Sequence, residues 1–201
     1  MPARRVLVQQ EFGLYLLLAS LGMFFVAALL ALLVRRSGAA PVPGQFPPIL
    51  WVSTVTLLAG GGALQQALRQ VKLEHQQPFR RWLLIAVICG SLFCVLQTIG
   101  LTQLLLVHVR LLEQIPALPV SVQAASNEPQ PFRAFGALFA LVLLHVLHFL
   151  GGLIVLLRVV RQGFDGRFDH EYYAGVKLCA VYWRFLDVIW LLMMATFYVT
   201  L

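Results

Sequence analysis

Long apolar runs alternate with short polar ones along this chain, and the apolar runs carry no amphipathic stripe. Five stand out, at residues 12–34, 49–68, 82–107, 135–159 and 178–201. Each reaches or exceeds the roughly 20 residues that a helix needs to cross about 30 Å of hydrocarbon. Backbone N–H and C=O groups find no water there, so each run must satisfy them internally, as a helix does. The pattern predicts an all-α polytopic membrane protein, a single transmembrane domain over residues 1–201 built as a bundle of five spans. There is no internal repeat and no separate soluble domain.

Composition sharpens this picture. The chain is 60% hydrophobic and 11% charged, with mean hydropathy +0.85, whereas soluble domains are about 45–50% apolar and about 25% charged. The first run follows "MPARR" but is longer than the roughly 7–15 residues of a signal-peptide core, so we expect it to be retained as a span.

The basic residues set the expected orientation. Arg4, Arg5, Arg69, Lys72, Arg80, Arg81, Arg158, Arg161, Arg167 and Lys177 fall on one side of a five-span chain, and Arg35, Arg36, Arg110 and Arg133 on the other. The positive-inside rule then puts the N-terminus in the cytoplasm and the C-terminus outside. The net charge of +7 has the same origin, a basic collar against anionic lipid, and calls for no nucleic acid. The longest connection, residues 108–134, holds Pro116, Pro119, Pro129 and Pro131 and is expected to be extended, on the outer face.

Candidate chemistry is sparse. His145 and His148 lie inside one span at i, i+3, so they face one neighbour together and cannot sandwich a haem, whose axial ligands come from facing helices. His108 stands at a span end, and no carboxylate cluster supplies further ligands for a metal. Cys89, Cys94 and Cys179 show no zinc-type spacing. No catalytic centre, metal site or cofactor is expected on this chain, and hydrogen bonding is the expected role of the two histidines. Coupled carriers place ionisable groups on several helices, while Asp187 is the only acid deep in a span.

Packing signals are denser. Gly60, Gly61 and Gly62 sit at mid-depth in the second span, and Gly151 and Gly152 in the fourth; small residues let helices approach closely in lipid. Ser20, Gln97 and Gln103 offer hydrogen bonds between helices. The last span contains an apparent contradiction, Arg184 and Asp187 within "VYWRFLDVIW". A charge at the bilayer centre costs roughly 2.5–3.5 kcal/mol on the milder scale. Asp187 is therefore expected to find donors in protein, from Arg184, Tyr182, Trp183 or a neighbouring helix.

Four segments resemble the subunit III family of haem–copper oxidases, the cytochrome c and quinol oxidase class. "YWRFLDVIW" resembles its "YWHFVDVVW" signature. "HVLHFLGG", through His145, His148 and Gly152, is similar to His-x-x-His-Val-x-x-Gly. "GSLFCVLQ", through Gly90, Phe93 and Gln97, looks like Gly-x-x-Phe-x-x-x-Gln, and "LLLASLGMFF" resembles the family's Leu-x-Ser-Glu-x-Met-Phe-Phe. The order is the family's over nearly the whole chain, and the match is most specific in the last seventy residues. Leu21, Gly100 and Lys177 stand where the family has glutamates, Arg184 where it has histidine, and Val142–Leu143 where it has threonine–glycine.

The resemblance implies an accessory subunit of a terminal oxidase that reduces oxygen and pumps protons, in the five-helix bacterial form and a bacterial inner membrane. Haem and copper would belong to partner subunits. This chain would pack against subunit I, hold structural phospholipid and support proton uptake. Arg158, Arg161, His145, His148 and Trp183 are the lipid candidates; Arg184, Asp187, Tyr182, Trp190, Gln97 and Gly152 are the interface or structural ones. The alternatives are an accessory subunit of a nitric oxide reductase and a small membrane carrier.

Overall fold

A computed structural model describes residues 2–36, 48–114, 131–166, 168 and 173–200. They form five helices: α1 Pro2–Arg36, α2 Ile49–Lys72, α3 Gln76–Gln114, α4 Pro131–Phe164 and α5 Ala174–Thr200. Among the described residues there is no strand. Four helices hold stretches long and apolar enough to cross a membrane, Glu11–Ala31, Gln76–Gln103, Ala140–Phe164 and Ala174–Thr196. The chain is a polytopic all-α membrane protein.

α2 is the exception in composition and not in placement. Ser53, Thr54, Gly60–Gly62, Gln65 and Gln66 dilute its apolar character. Yet Leu50 lies against Gly100, Ser53 meets Gln97, and Gly60 lies against Ala86 and Cys89. As numbers rise along α2 they fall along α3, so the two helices run antiparallel side by side. α2 covers the same depth as the apolar stretch of α3.

The turn between them is three residues long. Glu74 takes a left-handed backbone, φ 61°, which ends a helix by redirecting the chain. The N–H groups of Leu73, Glu74 and His75 return to the carbonyls of Arg69, Gln70 and Val71. Pro78 lies in the first turn of α3, where its missing N–H interrupts no helical bond.

The α5 backbone runs close to those of α1, α2 and α4 and meets α3 through the Trp183 and Trp190 side chains, while the α1 and α2 backbones do not approach each other among the described residues. The larger core joins α2, α3, α4 and α5 through Leu57, Leu64, Leu83, Phe93, Phe149, Leu156, Trp183 and Trp190. A second joins α1, α4 and α5 through Phe25, Leu29, Leu141, Val142, Ile189 and Met193.

The helices overrun the apolar runs that predicted them. α3 continues to Gln114 and α4 starts at Pro131, so both ends of the connection expected to be extended are helical. "VHVRLLEQ" has no helix breaker, and proline at a helix start sits where its missing N–H and fixed φ are favourable. Pro116, Pro119 and Pro129 lie outside the described residues.

Candidate functional site

The motifs that stood far apart in sequence meet where α3, α4 and α5 pack. Phe93 of α3 lies 4.8 Å from Phe149 and 5.7 Å from Trp190, centroid to centroid, and Phe149 lies 5.3 Å from Trp183. Edge-to-face contacts such as the last two, and the tilted Phe93–Phe149 pair, add to dispersion, the main attraction between helices in lipid. Two glycines set the spacing. A Cβ on Gly152 would fall 2.8 Å from Tyr182, and one on Gly90 3.1 Å from the Trp183 indole. Gly151, by contrast, faces open space.

Hydrogen bonds tie α2 to this core. Trp190 Nε1–H donates to Thr54 Oγ1 at 3.0 Å, and Thr54 donates to the Leu50 carbonyl at 2.8 Å. Ser53 Oγ lies 2.9 Å from the same carbonyl and 3.1 Å from Gln97 Oε1. This seam gives Ser53 and Thr54, the residues that make α2 less apolar, their reason to be there. Sequence reasoning passed over both, although buried hydroxyls in a helix crossing hydrocarbon are a signal of internal partners.

The histidine pair divides. His148 Nδ1 lies 2.7 Å from the Leu144 carbonyl, and the His148 carbonyl accepts from Tyr182 Oη at 2.9 Å. His145 is buried, stacked on Trp190 at 5.6 Å, and neither ring nitrogen has a hydrogen-bond partner in the described structure. Hydrogen bonding, expected of both rings, is thus found for one. Both edge onto Phe25 of α1, at 6.3 and 6.1 Å.

Asp187 also departs from expectation. Its side chain is wholly buried and packs directly onto Gly61 of α2, leaving no room for a Cβ at that position. Tyr182 donates elsewhere, and the Trp183 indole N–H has no partner among the described residues. Among the described residues the cation that approaches is Arg184, with Nη1 3.9 Å from Asp187 Oδ2, beyond hydrogen-bond range. Both residues occupy one face of α5, as i, i+3 spacing requires, but the guanidinium stays half exposed while the carboxylate is enclosed. Glycine at 61 admits the carboxylate, and the close approach of α2 cuts it off from donors.

The positions that depart from the family pattern have local explanations. Lys177 Nζ donates to Glu11 Oε1 of α1 at 2.8 Å, an ion pair between half-buried side chains. A Cβ on Gly100 would come 2.7 Å from the Leu50 side chain, so an acidic side chain there would have to displace Leu50 from its buried place. Leu21 packs beside the α1–α4–α5 core.

Of the lipid candidates, Arg158 and Arg161 are exposed near the end of α4. His145 and Trp183 are buried inside the bundle, which withdraws them from surrounding lipid; a ring that packs on a glycine or an indole reads the same in sequence as one that faces outward. At the same end Arg80 lies over Phe164 at 5.5 Å and Lys72 over Tyr173 at 5.2 Å. Gln76 Nε2 donates to the Phe168 carbonyl at 3.1 Å. These contacts join the α2–α3 turn to the connection before α5. Among the described residues no three His, Cys, Asp or Glu side chains converge as metal ligands.

The arrangement is therefore one of packing, with buried aromatics, close glycine contacts and a short polar seam. A family model described as cytochrome c oxidase subunit III matches residues 120–200, the part of the chain that carries α4 and α5 with His145, Gly152, Tyr182, Trp183, Asp187 and Trp190. That match, on the helices that organise the core, is consistent with a divergent member of the subunit III family.

Proposed function

We propose that this chain is the non-redox accessory subunit of a haem–copper terminal oxidase, held in the membrane beside the catalytic subunit I. The family match supports a subunit III-like accessory role and implies association with other subunits of such an oxidase. Oxygen reduction and the haem and copper centres belong, in this reading, to the partners. The chain contributes a rigid helical body, phospholipid held against its surface, and support for proton uptake from the basic side. The membrane is the bacterial inner membrane, with the N-terminus in the cytoplasm and the C-terminus outside, in line with the basic residues gathered at one end.

The observation that carries the reading is the subunit III match on α4 and α5, the pair whose side chains build the core. Arg158 and Arg161, exposed at the basic end, are proposed to hold a lipid phosphate by charge-assisted hydrogen bonds. Purification through a tag on this chain in mild detergent, with mass spectrometry of the co-purifying proteins, tests the reading. A haem–copper catalytic subunit recovered in equal amount is the expected result. Recovery of the chain alone, with transport activity in liposomes, would point to a carrier instead.

A further inference from the structure

We infer that the outward face of α5, between α1 and α2, binds the phosphate of a phospholipid through Arg184. This extends the lipid-binding reading to a second place, apart from Arg158 and Arg161, and requires only the chain and its lipid, not the oxidase.

Lys177, Val181, Arg184, Val188, Leu191 and Ala195 recur at spacings of four and three along α5, and so share one side of the helix. Arg184, Val188, Leu191 and Ala195 are exposed. α1 borders this face where Gly22 meets Phe185, and α2 borders it where Gly61 meets Asp187. The face is basic in its first half and apolar in its second.

The Arg184 side chain is 49% exposed, and its Nη1 lies 3.9 Å from the Asp187 carboxylate, beyond hydrogen-bond range. A guanidinium has five N–H donors in a planar fork. In hydrocarbon such donors must find an acceptor, and Asp187, fully buried against α2, cannot swing out to supply one. Arg184 lies seven residues beyond Lys177, about 10 Å along the helix axis. Its long side chain leans back towards the start of the helix and can snorkel to the interface.

At that level Lys177 is already neutralised by Glu11 at 2.8 Å, which leaves an arriving phosphate to Arg184. The fork suits two phosphate oxygens at once, while the acyl chains lie over Val188, Leu191 and Ala195. A partner helix would have to present a carboxylate at this depth and bear the cost of carrying it there. A lipid phosphate already resides at the interface from which Arg184 is reached.

The test is native mass spectrometry of the protein, with whatever partners it retains, in nanodiscs of phosphatidylglycerol and phosphatidylcholine. Wild type should keep one more phospholipid per chain than Arg184→Gln under the same activation, and the same difference should persist when both carry Arg158→Gln and Arg161→Gln. To keep the question open should Arg184→Gln fail to fold, a photo-crosslinking residue at Val188 in otherwise wild-type protein should label lipid. Equal lipid retention by Arg184→Gln, or crosslinking of Val188 to a partner protein, would overturn the inference. Neither readout depends on haem, so absence of an oxidase would count against the proposed function and leave this site standing.

Discussion

α1 and α2 teach opposite lessons about polarity and position. α1 holds one of the apolar stretches fit to cross a membrane, yet Phe12, Leu16, Leu17, Met23, Phe24 and Leu30 lie on its exposed surface, and among its described side chains the buried apolar ones are Leu18, Phe25 and Leu29. α2 falls short of that apolarity and buries Leu50, Ser53, Thr54, Leu57, Gly60, Gly61, Ala63, Leu64, Ala67 and Val71. In water the more apolar helix would be the inner one. In lipid the acyl chains satisfy apolar side chains as well as protein does, so close packing and hydrogen bonding decide which helix goes inside. Small and hydroxylated residues, which weaken a hydropathy signal, are what draws α2 in.

This contrast can be broken at its strongest point first. Gly61→Val should be the most damaging single change, because the new side chain must displace the Asp187 carboxylate. Overpacking costs typically 1–3 kcal/mol and disturbing a buried charge adds to it. Loss of the monodisperse peak in detergent size-exclusion chromatography is the expected result, while Gly62→Val, facing open space, should keep it. Next is Thr54→Val, which strands the Trp190 indole N–H. A buried donor without a partner costs about 1–3 kcal/mol, and Trp190→Phe should cost less in the Thr54→Val background than in wild type in a thermal-denaturation double-mutant cycle.

Asp187 sharpens the comparison further. Asp187→Leu places a bulkier side chain on Gly61 and should destabilise, whereas Asp187→Asn keeps the shape, removes a charge lacking close donors, and should be neutral or mildly stabilising. Thermal denaturation followed by detergent size-exclusion chromatography reads out both. Reversing the ion pair, with Glu11→Lys and Lys177→Glu together, should fall within about 1 kcal/mol of wild type, since exposed or half-buried pairs contribute little. The smallest effect is expected on α1, where Leu17→Ala or Met23→Ala exchanges one lipid contact for another and should leave the melting temperature unchanged.

The fold was legible because hydrocarbon leaves the chain few options. Apolar runs of this length become helices, and their order along the chain follows. Helix ends were less legible, since α3 and α4 run on into the connection between them with nothing in the residues to stop them. At the core, sequence spacing correctly put Arg184 and Asp187 on one side of α5, but it was silent on Gly61, whose missing side chain is what isolates the carboxylate. Glu11 escaped notice for a similar reason: its partner Lys177 stands 166 residues away, and the packing of α1 on α5 brings them together. His145 and Trp183 show the same limit, because a sequence gives a ring its helix but not the neighbour that covers it.

The central claim, that this chain accompanies redox centres without carrying one, is tested most directly by optical spectroscopy of two preparations. The chain expressed alone should be colourless after purification, and the complex isolated through the same tag from its native membrane should show haem absorbance that changes on reduction. A stoichiometric haem on the chain expressed alone, or a native complex without any haem, would contradict the account.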